Sequence, residues 1–66
     1  MKHFLFFEEI SGENFIIYCD NLCDACGLAA DIARDIMACY NNDEFYITFI
    51  DELTEAEAEA SWYDEY

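Results

Sequence analysis

Sixteen acidic residues face only two basic ones, Lys2 and Arg34, giving a formal net charge of −14 in a chain of 66 residues. Almost no carboxylate can find a basic partner within such a chain, so a compact state must absorb self-repulsion that nothing local offsets. The rest of the sequence nevertheless calls for a core. Hydrophobic residues make up 56% of the chain and aromatics 18%, far too apolar for a disordered acidic tail. The length predicts one small domain, residues 1 to 66, burying only about 60% of the surface its unfolded form exposes.

The core-forming segments show themselves by their periods. Residues 2 to 10, "KHFLFFEEI", and 15 to 20, "FIIYCD", are rich in aromatic and β-branched residues. The "SGEN" between them carries the glycine expected of a hairpin loop. Asn21 is placed to cap a helix running to about Tyr40, with Asp24 in its first turn favourably set against the helix dipole. At about 100° per residue, Ala25, Leu28, Ala29, Ile32, Ile36 and Tyr40 share one face, and Asp24, Asp31 and Asp35 line its flank. "YNND" ends that helix. In "EFYITFIDEL", Phe45, Ile47 and Phe49 alternate with Glu44, Tyr46 and Thr48, the period of a half-buried strand.

Thr54 and Glu57 form a T-x-x-E capping box opening a second helix through "EAEAEASWYDEY", whose apolar seam is Ala56, Ala60 and Tyr63. The expected fold is therefore α+β, in the order β-β-α-β-α. It has a three-stranded antiparallel sheet, the long helix on one face and an acidic C-terminal helix. The other sheet face carries Ile16, Tyr18, Tyr46 and Ile50, with either Leu5 and Phe7 or Phe4 and Phe6. It needs cover from the terminal helix or from a second copy in a homodimer.

Four cysteines invite a metal reading. Cys19, Cys23 and Cys26 have C-x3-C-x2-C spacing, which resembles the cluster-binding motif of radical S-adenosylmethionine enzymes, where three thiolates hold an iron–sulfur cluster. The resemblance covers eight residues. Ala25 stands where that family commonly has an aromatic residue, and its barrel is beyond the reach of so short a chain. Asp20 and Asp24 beside the thiols disfavour the thiolates that metals need. On a continuous helix Cys39 lies roughly 20 Å along the axis from Cys23 and Cys26 and cannot share their metal. No metal and no cofactor are expected. Cys39 is expected to pack near the apolar stripe and Cys19 and Cys26 at the strand-to-helix corner, leaving Cys23 exposed.

Glu8 and Glu9 cut the apolar run after Lys2 short of a leader or membrane-span length, so a cytoplasmic chain with reduced thiols is expected. His3 is the single histidine, and Gly12 and Gly27 are the only glycines. Neither a nucleophile–base set nor a phosphate-cradling loop is present. A pocket that separates the pKa values of paired carboxylates is rare at this size, and the chain is not expected to be an enzyme.

The charge itself then carries the functional expectation. Nucleic acid and anionic membranes repel the chain, whereas a strongly basic protein surface rewards it. As one helix of about 20 Å, residues 54 to 66 would hold Glu55, Glu57, Glu59, Asp64, Glu65 and the terminal carboxylate. That is one charge per roughly 3.3 Å, against ~3.4 Å along a DNA strand. Asp24, Asp31 and Asp35 extend the acid over the first helix, and Asp51 and Glu52 join the two regions. Trp62, Tyr63 and Tyr66 are aromatic anchors of the kind that dominate interfaces.

In size, acidity and near absence of basic residues, the whole chain resembles the small phage-encoded DNA-mimic inhibitors, which include anti-CRISPR proteins, anti-restriction proteins and inhibitors of uracil-DNA glycosylase. That resemblance implies an inhibitor seated in the basic nucleic-acid groove of a CRISPR effector, restriction enzyme or repair enzyme, with anti-CRISPR activity favoured. The alternative is an acidic protein-protein interaction module, a transcription or toxin-neutralising partner that works without nucleic-acid mimicry.

Overall fold

The computed structural model describes residues Met1–Tyr66. The aromatic and β-branched runs form an antiparallel hairpin of β1, Lys2–Glu8, and β2, Glu13–Cys19. Phe4 lies opposite Ile17, Leu5 opposite Ile16 and Phe6 opposite Phe15. The turn occupies residues 9 to 12, two residues earlier than the expected "SGEN". Glu8 sets that position: its carbonyl accepts the Gly12 N–H at 2.9 Å and its carboxylate the Ser11 N–H at 2.6 Å. Gly12 closes the turn at φ 74, a conformation that glycine adopts without steric cost.

The long helix α1, Leu22–Ala38, is capped by Asn21, whose side chain accepts the Asp24 N–H at 2.9 Å. Its buried row is Ala25, Ala29, Ala33 and Met37, so the expected face is rotated. Leu28 and Tyr40 are 47% and 59% exposed, while Ile32 and Ile36 are half-buried flanks. Bulk explains the difference. Phe4, Phe6, Phe15 and Ile17 rise from the sheet and fill the interface, so the helix contributes alanines and lies close. Asn41, in the left-handed conformation at φ 56, turns the chain away after the helix.

Strand β3, Ile47–Leu53, pairs antiparallel with the free side of β1. It starts at Ile47, not at Glu44. Phe6 faces Phe49 but Leu5 faces Asp51, so a bulge leaves Ile50 without a partner. One extra residue exchanges the two faces of everything that follows. Phe49 therefore packs edge-on against Phe4 and Phe6, whereas Leu53 is delivered to the opposite face of the sheet.

There Leu53 joins Leu5, Ile16 and Ala58, the last from the short helix α2, Glu55–Ala60. Residues 54 to 66 are thus not one helix. Ser61 turns to extended backbone, its hydroxyl donating to the Ala58 carbonyl at 2.8 Å. The chain then forms β4, Asp64–Glu65, which runs parallel to β2. The sheet has four strands in the order β3-β1-β2-β4 and is mixed, not three-stranded and antiparallel. Ala58, and not the Ala56, Ala60 and Tyr63 seam, faces inward, because the exit of Leu53 from β3 sets the phase of α2. The two helices cover opposite faces of one sheet.

Candidate functional site

Of the sixteen carboxylates only Glu8 is buried. The other fifteen are exposed, and the positive partners within 4 Å are few. Lys2 meets Glu52 at 3.8 Å and Arg34 meets Asp31 at 3.0 Å, while the His3 ring is hydrogen-bonded to Glu65 at 3.1 Å. The two Lys and Arg pairs are exposed and contribute about 0 to 1 kcal/mol each. The surface is therefore a nearly uncompensated anion.

Asp24, Asp31 and Asp35 lie along one stripe of α1, two turns and then one turn apart, on the side opposite its alanine row and spread over about 16 Å. They form a crest, where a flank was expected. Asp24 is tied to its cap, accepting from the Asn21 amide at 3.1 Å, and Asp31 is shared with Arg34. Asp35 is exposed and has no ion-pair partner.

Asp51 and Glu52 lie on β3 beyond the bulge, and Glu55 and Glu59 are exposed on α2. Glu57 has a structural task. Its carboxylate accepts the Thr54 N–H at 3.0 Å while the Thr54 hydroxyl accepts the Glu57 N–H at 3.1 Å. The Thr54 N–H, followed by its hydroxyl, holds the Glu57 carboxyl below its ordinary value. The expected continuous strip is not formed, because α1 and α2 lie on opposite sides of the sheet. The acids instead coat both faces.

The aromatic candidates divide as well. Trp62, between α2 and β4, is 99% exposed. Tyr63 is partly exposed next to it in sequence. Tyr66 sets its ring edge-on to Phe15, its N–H donating to the Ile16 carbonyl at 2.8 Å. Burial, then the Asp64 and Glu13 carboxylates, raise its phenol above the ordinary value of 10.0. Asp64 and Glu65 belong to β4, where Glu65 reaches back over the sheet to His3.

The thiols differ most from expectation. Cys19 is buried, donating to the Asn21 carbonyl at 3.2 Å, but Cys23, Cys26 and Cys39 are all exposed. The packing role expected of Cys26 and Cys39 is not the one they have, since alanines occupy the buried row of α1. No group of three or more His, Cys, Asp or Glu side chains is gathered as a metal site.

Two residues escaped the sequence reading. Glu8 shares the alternate positions of Phe4 and Phe6 and so faces the α1 side of the sheet. Its carboxylate accepts N–H groups from Ser11 and Tyr46, each at 2.6 Å. Burial alone would raise its pKa, but these backbone donors hold it below 4.5. The signal was parity: an acid in phase with core aromatics needs internal donors. His3, its ring tilted against that of Tyr18 with centroids 4.6 Å apart, links β1 to β4 through Glu65. Nothing in the local sequence pairs residues so far apart.

No helix is long and apolar enough to cross a membrane. Comparison of the chain with protein families, with curated proteins and with solved structures finds no match.

Proposed function

We propose that this protein is a small acidic inhibitor that occupies the basic nucleic-acid groove of a DNA- or RNA-processing defence enzyme, a CRISPR effector before a restriction or repair enzyme. The observation that carries the reading is the coat of fifteen exposed carboxylates with almost no counter-charge. A net charge of −14 along a 34 Å axis is one charge per about 2.4 Å (34 divided by 14). That falls between a single strand, ~3.4 Å per charge, and a duplex, ~1.7 Å. A duplex also presents charge on two sides, as do α1 with Asp24, Asp31 and Asp35, and α2 with Glu55 and Glu59. Opposite potentials speed association, and a groove built for phosphates is already adapted to release counterions.

Competition against labelled DNA or guide RNA on a panel of such enzymes, followed against salt, tests the reading. Affinity should fall steeply with salt, and bound inhibitor should exclude nucleic acid. Glu55→Lys with Glu59→Lys, sparing the capping Glu57, should weaken inhibition at least 10-fold while helix content is retained. Binding that ignores salt or leaves nucleic acid in place overturns mimicry.

The fully exposed Trp62 favours a second reading, an acidic interaction module anchored by an aromatic side chain. Loss of binding in Trp62→Ala, with the charge-reversed variant unaffected, selects it.

A further inference from the structure

Small thiols are usually buried, yet Cys23 and Cys26 both stand exposed near the start of α1. Side chains three residues apart on a helix have Cβ atoms about 5–6 Å apart. A disulfide needs about 3.5–4.5 Å. Tightening the first turn towards the 3₁₀ form, where side chains three apart eclipse, closes that gap. A bridge made under such strain is easily reduced again.

The two thiols differ in their surroundings, since Cys23 lines a groove and Cys26 does not. An open groove of about 520 Å³ runs beside Cys23, lined also by Asp20, Asp24, Asp31, Cys19 and Gly27. Gly27, one turn beyond Cys23, leaves that side bare: a Cβ there would meet nothing within 4 Å. Any reagent reaching Cys23 along the groove passes three carboxylates on a molecule of net charge −14.

We propose that Cys23 and Cys26 form a dithiol exchange site selective for cationic low-molecular-weight disulfides. The Cys23 thiolate attacks one sulfur of the disulfide, forming a mixed disulfide and expelling the other half as a thiolate that takes up a proton. The Cys26 thiolate then attacks the Cys23 Sγ, forming the Cys23–Cys26 bond and expelling the second half. Two protein thiols are oxidised and one external disulfide is reduced to two thiols, so electrons and protons balance. Cys19 is held by its bond to the Asn21 carbonyl, and Cys39 caps the far end of α1, about 20 Å from Cys26. The carboxylates that disfavour the thiolate also attract a diammonium disulfide such as cystamine, whose positive charge offsets that penalty as it arrives, and they repel an anionic one such as oxidised glutathione.

The test reacts the reduced, folded chain with each of these disulfides, quenches by alkylation and reads intact mass and peptide maps. In the Cys39→Ser chain, which removes the third exposed thiol, cystamine should give a form lighter by two hydrogens, bridged at Cys23 and Cys26 and reversed by dithiothreitol. At low salt it should react at least ~10-fold faster than oxidised glutathione, and the advantage should shrink at high salt. Cys26→Ser should stop at an adduct on Cys23, Cys39→Ser should leave the rate unchanged, and Asp20→Asn with Asp31→Asn should narrow the preference. A Cys19–Cys23 bridge, a persistent adduct at Cys23 in the Cys39→Ser chain, bridging only in urea, or equal rates for the two disulfides each overturns the proposal.

Discussion

Glu8 concentrates much of the local physics in one side chain. It is 0% exposed yet has no basic partner, and two backbone N–H groups take that role. Removing the carboxylate leaves both donors unsatisfied, one at the hairpin turn and one just before β3, so Glu8→Ala should cost about 3 kcal/mol in urea unfolding at neutral pH. Its lowered pKa fixes the pH dependence. A depressed carboxyl lends stability that is fully present above its unfolded value, near 4.5, and is lost as pH falls through its folded value. The stability gap between native chain and Glu8→Gln should be constant above about pH 5 and narrow below about 4.5. At Gly27, by contrast, the helix is weakened with no contact in return. Gly27→Ala should stabilise by about 0.5–1 kcal/mol and raise the melting temperature by a few degrees. Both residues were visible in the sequence, but only parity with Phe4 and Phe6 marked Glu8, and nothing local marked Tyr46 as its donor.

At the scale of elements, legibility follows how local the cause is. The hairpin, the Asn21 cap and the Thr54–Glu57 box rest on residues within four positions of one another, and the structure has all of them. The rotation of α1 was hidden because helical period alone does not say which partner surface supplies bulk. The strip of acid over residues 54 to 66 failed for a similar reason. Six alternating Glu and Ala residues can start a helix, but residues 64 to 66 find better partners along β2. β4, at two residues, has no period to read. Because α2 is short and covers Leu5 and Ile16 through Ala58 alone among its buried residues, it leans on its cap. Thr54→Ala should cost about 1 kcal/mol. Hydrogen exchange of the α2 amides should rise before that of α1.

For the whole molecule, charge opposes compaction everywhere at once. Raising sodium chloride from about 0.01 M to about 1 M shortens the screening length from about 30 Å to about 3 Å. The melting temperature should rise by several degrees over that range, while affinity for a basic groove falls. A chain whose stability and binding move in opposite directions with salt separates self-repulsion from recognition in one titration. The sequence made the sign of this charge plain. Its distribution over two faces was not legible, since it depends on the bulge at Ile50 that sends Leu53, and with it α2, to the far side of the sheet.

The parallel pairing of β4 has a kinetic consequence. The hairpin closes across a four-residue turn, but His3 and Glu65 meet across a separation of 62 residues. Loop-closure entropy grows with such a span, and two residues of strand return little for it. β4 should dock last in folding and detach first, in openings too small to disturb β1. The Tyr18 amide, donating to the Tyr66 carbonyl at 2.9 Å, and the Tyr66 amide should then exchange with solvent faster than any amide of β1. Each opening bares the outer edge of β2 for a moment, giving the sheet an intermittent vacancy beside the most exposed aromatic of the chain.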